Sequence, residues 1–302
     1  MDFRSVFTSE IDYPIIDAHA HPYFNRDCPL TGPTSIEQYW QELSGTGVSC
    51  FCGAFNIRND GNMADVVQRE NQIVLEWRDK LGSRFYPGCN IHPNYPEESI
   101  SAVKQFHSLG FRWVGEIAWY VQGYNDYATA EMARILKVVC DLGMVLNLHP
   151  SNFDDLDKLL AMFPDLKIVI AHPGSLGNDA SYRLAEKHPN AFFDLSGNGL
   201  SRWHMLRWGI DRIGKERFLF GTDYPVVNPY MFMAGVLSEP LTAEERKAIF
   251  HDNFLRLTGY KQHRAALDAQ NKERPARCGG HAKCGQQITW LRLWSLSRQV
   301  SS

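Results

Sequence analysis

Apolar positions fall in two rhythms that alternate along most of the chain. Short, almost continuous apolar runs are followed by longer stretches in which apolar residues return every three or four positions. The first rhythm is that of a strand covered on both faces, and the second that of a helix with one buried side. Runs at residues 14–18, 47–55, 85–91, 111–118, 144–148, 166–171, 191–195 and 217–220 predict eight strands. The stretches between them predict helices near 34–45, 62–80, 97–109, 128–142, 153–163, 179–187 and 202–213, with a last helix from Thr242 to Leu257. Thr34 with Glu37, and Thr242 with Glu245, have the spacing of capping boxes, while Gly110, Gly143, Pro164 and Gly259 stand where helices should stop.

Eight strand–helix units within about 250 residues predict an α/β fold, the (β/α)8 TIM barrel. An open doubly wound sheet is the runner-up, but it would ordinarily carry a glycine-rich phosphate loop after its first strand. Here that place is taken by Asp17-Ala18-His19-Ala20-His21-Pro22. The barrel is expected to occupy residues 1–260. Residues 261–302 lose the alternation and read as a basic C-terminal extension outside the barrel, disordered or clamped on its surface.

Composition narrows the function class. The 302 residues are 44% hydrophobic and 22% charged, ordinary globular material, with a formal net charge of −3. The extension holds eight Lys/Arg against two Asp/Glu, so the body carries 23 against 32. An acidic body is a poor surface for a phosphate backbone, which argues against nucleic acid as partner. No run approaches the roughly 20 apolar residues of a membrane helix, so no membrane partner is expected. The N-terminus shows no secretory signal, and the seven cysteines have no framework spacing; Cys50, Cys52, Cys89 and Cys140 lie in apolar runs. Free thiols in a reducing compartment predict a cytoplasmic protein. The partner expected is a small-molecule substrate, and the oligomeric state stays open between monomer and homo-oligomer.

The chemistry sits at strand ends. In a strand, residues two apart share a face, so His19 and His21 project together with Asp17 beneath them. Glu116 ends strand four, His149 strand five, His172 strand six and Asp223 strand eight. Barrel enzymes build their sites on that face. Three or four N/O ligands around an open position are what a catalytic zinc or similar divalent ion requires. Singly, each residue has an ordinary explanation: a loop histidine, an ion-pair partner, a turn aspartate. Together, all falling at strand ends and none inside a helix, they predict a metal site.

The motifs Asp17-Ala-His19-Ala-His21, Leu148-His149-Pro150, Ala171-His172-Pro173-Gly174, Asp194-Leu-Ser196-Gly197 and Phe220-Gly-Thr-Asp223-Tyr-Pro225 resemble those of the amidohydrolase superfamily, in particular its amidohydrolase-2 branch. Asn253-Phe-Leu-Arg256-Leu-Thr-Gly259 resembles the last helix of that branch, so the likeness covers residues 14–260. The resemblance implies a divalent metal, zinc by expectation, held by His19, His21, His149 and Asp223, with His172 close by. It implies that Asp223 accepts a proton from the activated water and that His172 polarises or protonates the substrate. Binuclear members place a bridging carboxylate at the end of strand four, and Glu116 fits that place, so one ion is expected with a second able to bind through Glu116.

The leading expectation is a metal-dependent hydrolase of a small amide, lactone or ester. The alternative is a non-oxidative decarboxylase or hydratase of an aromatic or unsaturated acid on the same ligands, with Arg58 as carboxylate clamp. A TatD-like nuclease and a non-catalytic binding barrel rank below both. His92, Tyr120, Tyr124, Asn56 and Arg58, each just past a strand, are the candidates for substrate contact. Trp203, His204 and Trp208 have a helical spacing that points to core packing, and Asp17 is expected to orient an imidazole through its second nitrogen. Cys278, His281 and Cys284 offer only three ligands at the wrong spacing for a zinc knuckle.

Overall fold

A computed structural model describes residues 11–23, 32–58, 63 and 65–261. The extension from 262 onward, with Cys278, His281 and Cys284, lies outside the described residues. Eight strands follow one another in chain order: β1 Ile15–Asp17, β2 Val48–Gly53, β3 Phe85–Pro87, β4 Trp113–Ile117, β5 Val145–Leu148, β6 Lys167–Ile170, β7 Ala191–Asp194 and β8 Phe218–Leu219. Neighbours pair in parallel, β1 to β3 in one ladder and β4 to β8 in another. Two seams close them into a TIM barrel. Cys89 N–H donates to Trp113 O at 2.9 Å and Gly115 N–H to Cys89 O at 2.8 Å, joining β3 to β4. Ala18 N–H donates to Phe220 O at 2.8 Å and His21 N–H to Tyr224 O at 2.7 Å, joining β1 to β8. Among the described residues, closure leaves no unpaired sheet edge.

The core has two layers, as the two rhythms require. Ile16, Cys50, Cys52, Tyr86, Trp113, Val145, Val169, Phe192 and Leu219 draw one cluster from every strand, closed by Phe254 and Leu257 of the last helix. Alternate strand residues such as Phe51, Leu146, Ile168 and Phe193 pack outward against the helices. Cys50, Cys52 and Cys89 are buried free thiols, Cys140 is half-buried, and no described helix is long and apolar enough to cross a membrane.

Several boundaries differ from the expected ones, each for a local reason. Strand three ends at Pro87 because proline has no N–H for the ladder and Gly88 is crowded against β4, where a Cβ would stand 2.2 Å from Gly115 O. The first helix, Ile36–Gly45, is capped by Ser35, whose side chain accepts from Gln38 N–H, rather than by Thr34 with Glu37. The Thr242–Glu245 box is present with both of its bonds. Pro229–Ser238 is a helix that periodicity does not announce, because it is apolar nearly all round and shows no polar face. Trp203 is a correction. It stands 64% exposed beside exposed His204, whose φ of +63° puts both residues ahead of the helix Met205–Ile213, so neither packs in the core.

Candidate metal centre

The ends of β1, β4, β5, β6 and β8 bring His19, His21, Glu116, His149, His172 and Asp223 together. Glu116 is shared by two possible ligand triads, one with His19 and His21 and one with His149 and His172, their ligand atoms within 4.8 Å of one another. Glu116 Oε2 lies 3.4 Å from both His19 Nε2 and His21 Nε2. Asp223 Oδ1 lies 3.1 Å from His21 Nε2 and 3.8 Å from His19 Nε2. His172 Nε2 stands 3.8 Å from Glu116 Oε1 and 4.0 Å from Asp223 Oδ2. All but His149 are buried. His172 and Asp223 have positive φ, +56° and +60°, which non-glycine residues rarely adopt and which functional sites often hold.

Electrostatics and unmet bonding both ask for a cation. Burial lowers the pKa of His19, but the carboxylates of Asp194 and Glu116 outweigh it and hold the ring well above its usual value. Burial pushes Glu116 up, and the facing imidazoles, His19 foremost, override it and hold the carboxyl well below the usual range. His21 is raised as Asp223 overcomes the effect of burial, while burial lowers His149. The carboxylates thus favour protons on His19 and His21, at the place where a divalent ion would bind. His19 Nε2 and Glu116 Oε1 are buried without any hydrogen-bond partner, a costly state that a ligated ion relieves. The residues fit a divalent metal with mixed N/O donors.

Behind the ring, the rear nitrogens are held. His19 Nδ1 lies 3.0 Å from Asp194 Oδ2, which also accepts from Asn147 Nδ2 at 3.0 Å. Ser196 Oγ donates to Asp194 Oδ1 and lies 3.0 Å from His172 Nδ1. With its own proton spent on Asp194, Ser196 accepts from His172 Nδ1–H. Both rings therefore turn an Nε2 lone pair toward the centre. Gly197 permits this approach, since a Cβ there would sit 2.4 Å from His172 Nδ1. His21 Nδ1 lies 3.3 Å from Ala54 O and His149 Nδ1 3.2 Å from Pro150 O.

The orienting carboxylate is thus Asp194, not Asp17. Asp17 accepts from His19 N–H and Thr222 N–H at 3.1 Å each and from Thr222 Oγ1 at 2.5 Å, so it binds the backbone of β1 to the loop that carries Asp223. Sequence placed Asp194 in a motif but gave it no role; its lone acidic side chain at the end of an apolar strand was the available signal.

The substrate candidates divide. Tyr120 is half-exposed, its ring 4.8 Å from His149, and its pKa is raised by burial and then by Glu116 and Asp223. Arg58 is exposed and close enough for its charge to lower that pKa. Asn56 Nδ2 donates to Glu116 O at 3.1 Å. His92 is drawn away from the ring: Nε2 donates to Gln122 O at 2.9 Å and Nδ1 accepts from Asn94 N–H at 3.1 Å, which commits both nitrogens. Tyr124 donates to Gln122 Oε1 at 3.3 Å. Tyr23, absent from the sequence candidates, lies 5.9 Å from the His21 ring, and burial followed by Asp223 pushes its pKa up to about 12. A neighbouring cavity of about 670 Å³ is lined by Pro22, Tyr23, Phe55, Asn56 and Trp77, without any of the ring residues.

A family model described as amidohydrolase matches residues 16–259, and the chain belongs to that family. No curated protein sequence matches significantly. Among solved structures, the fold is similar to 5-carboxyvanillate decarboxylase from Sphingomonas paucimobilis, with TM-score 0.64 and 13% identity over 82% of this chain and 99% of that one. The Novosphingobium aromaticivorans 5-carboxyvanillate decarboxylase, complexed with manganese and a nitrobenzoic acid, gives 0.64 and 15% over 83% and 97%. The 2,6-dihydroxybenzoate decarboxylase from Rhizobium gives 0.62 and 16% over 82% and 98%.

Proposed function

We propose that this member of the amidohydrolase family is a metal-dependent, non-oxidative decarboxylase of an aromatic carboxylic acid. The observation that carries the reading is the mouth of the barrel. Tyr120 and Tyr23 stand beside the donor ring, and Arg58 is near enough for its charge to act on Tyr120. An aromatic face flanked by a guanidinium fits a planar ring bearing a carboxylate. Fold relatives that act on 5-carboxyvanillate and 2,6-dihydroxybenzoate support this reading over hydrolysis, the activity that the sequence motifs alone put first.

A divalent ion held by His19, His21, Glu116, His149 and Asp223, with manganese and zinc both compatible with that donor set, would supply Lewis-acid stabilisation of negative charge on the substrate oxygens. The protein does the rest. Arg58 takes a carboxylate and Tyr120 orders the ring. Asp223, buried and 3.1 Å from His21 Nε2, would carry the proton to the reacting carbon. That carbon accepts the proton, its bond to the carboxylate breaks, and the bonding pair returns to the ring as CO2 leaves; one proton is consumed per turnover. His172, held at Nδ1 by Ser196, keeps Nε2 as an acceptor.

Hydrolysis is the second reading, favoured by the family model itself, with Asp223 taking a proton from water instead. Metal-loaded enzyme given 2,6-dihydroxybenzoate or 5-carboxyvanillate in deuterated water should release CO2 and leave one deuteron on the vacated carbon. A parallel set of lactones and N-acyl compounds in ¹⁸O-labelled water tests the second reading. No CO2 from the aromatic acids together with label in a new carboxylate would replace decarboxylation by hydrolysis.

A further inference from the structure

One buried acid in the barrel has neither a cation partner among the described residues nor a place in the mechanism. Glu70, on the helix Val66–Leu81, is fully buried. Its Oε1 accepts from Ile57 N–H at 2.6 Å and its Oε2 from Gln122 Nε2 at 3.4 Å. Burial, opposed by these two donors, pushes its pKa up to about 8. An acid kept in such a place, where its ionised form is costly, asks for a purpose.

Its partners answer. Gln122 Nε2 also donates to Asn90 Oδ1 at 3.1 Å. Asn90 Nδ2 donates to Phe55 O and to Asn56 Oδ1, both at 2.9 Å, and Asn56 Nδ2 donates to Glu116 O at 3.1 Å. Asn71, one residue after Glu70, exchanges two bonds with the Asn90 backbone at 2.7 and 2.9 Å. Helix, β2 loop, β3 loop and β4 loop are thus joined through one buried set of side chains. The set ends on the backbone of Glu116, whose side chain belongs to the donor ring, and on Ile57, whose neighbour is Arg58.

We propose that Glu70 is a positioning residue, holding the β2 loop through Ile57 N–H so that Arg58 stands over the barrel mouth. The Arg58 part rests on the proposed carboxylate substrate; the anchoring of the loop does not. The anchor is a matter of reach rather than of charge, because the bond made is from a neutral amide at 2.6 Å. Glu70→Asp keeps the carboxyl and withdraws the acceptor by about one methylene, roughly 1.5 Å of chain. Glu70→Gln removes the titrating carboxyl and keeps an oxygen within reach of Ile57 N–H.

Two readouts on metal-loaded protein separate the anchor from the substrate reading. The first is the rate of tryptic cleavage after Arg58 in the folded enzyme, which needs no substrate. It should rise at least tenfold in Glu70→Asp and stay within about threefold of wild type in Glu70→Gln. The second is calorimetric binding of 2,6-dihydroxybenzoate against resorcinol, the same ring without its carboxylate. Glu70→Asp should weaken the acid at least tenfold and resorcinol less than threefold, with Glu70→Gln close to wild type for both. Equal cleavage rates in wild type and Glu70→Asp, or equal losses in Asp and Gln variants, would overturn the anchor. If the wild type binds neither compound, the proposed substrate class fails while the cleavage rates still decide the anchor. Glu70→Ala takes the place of Glu70→Asp in both measurements should the aspartate variant not fold.

Discussion

Asp194 Oδ2 lies 3.0 Å from His19 Nδ1, and the other oxygen of the same carboxylate reaches His172 Nδ1 through Ser196. One buried acid at the end of β7 therefore sets the tautomer of two rings contributed by β1 and β6. Orienting partners of this kind typically govern metal affinity by about 10–100-fold. Asp194→Asn leaves the shape of the site nearly unchanged but can turn an amide N–H toward His19, reversing the bond. We expect metal affinity, measured by competition with a chelating dye, to fall within that 10–100-fold range. Ser196→Ala should cost less, because it frees only His172. An Asp194→Asn protein that binds metal as tightly as wild type would mean that the rings are fixed by packing alone.

Asp223 faces the site from a backbone with φ of +60°, and its N–H donates to His19 O at 2.8 Å. Its carboxylate is the one ring member assigned a proton to carry in either proposed reaction. Asp223→Asn keeps size and backbone tolerance while removing that capacity. Loss of a positioned acid–base group costs roughly 10²–10⁴-fold. We expect turnover to fall by that factor with the far-ultraviolet dichroism unchanged and substrate binding by calorimetry altered less than tenfold. Wild-type turnover in this variant would remove Asp223 from the proton path.

How legible these features were in the sequence depends on whether a residue acts locally or across the barrel. The eight strands were readable because each is a short apolar run between helical stretches, and the barrel follows from their alternation. His19 and His21 were readable as a pair because their spacing of two is itself a strand signature. Asp17 was misread because spacing shows that it shares a face with His19 but not that Thr222, some 200 positions away, takes its carboxylate. Glu70 was invisible for the same reason. On its helix it is one acidic residue among several, and only the packing of three loops around it shows that it is buried. The helix Pro229–Ser238 escaped because periodicity detects a contrast between faces, and this segment has little.

The Glu70 carboxyl also has a consequence for stability. Its folded pKa of about 8 stands above the ordinary value of about 4.3, so between those values the folded state binds more protons than the unfolded one. Its contribution is therefore most favourable below the unfolded pKa and is lost as pH rises toward 8, the reverse of a salt-bridged acid. Asp17, raised by burial to about 7, acts in the same sense, so the wild-type slope alone does not isolate Glu70. The difference between two proteins does. The melting temperature of Glu70→Gln minus that of wild type should become more positive between pH 5 and pH 8.5. A difference that stays flat across that window would mean that Glu70 is ionised at the same pH in both states.

The metal itself should be a stability element. Four imidazoles and two carboxylates converge within a few ångströms, and His19 Nε2 and Glu116 Oε1 have no other partner. An unfolded chain cannot hold these groups together, since they come from the ends of β1, β4, β5, β6 and β8. An ion that binds only the folded state stabilises it by about 2.7 kcal/mol at a hundredfold excess over its dissociation constant. Chelator-treated protein should therefore melt lower, and restoring manganese or zinc should raise the midpoint by several degrees in a concentration-dependent way. Glu116→Gln should reduce that rise, because Glu116 belongs to both ligand triads, whereas His92→Gln should leave it intact, since both His92 nitrogens are committed away from the ring. Equal shifts in wild type and Glu116→Gln would place the ion elsewhere on the protein.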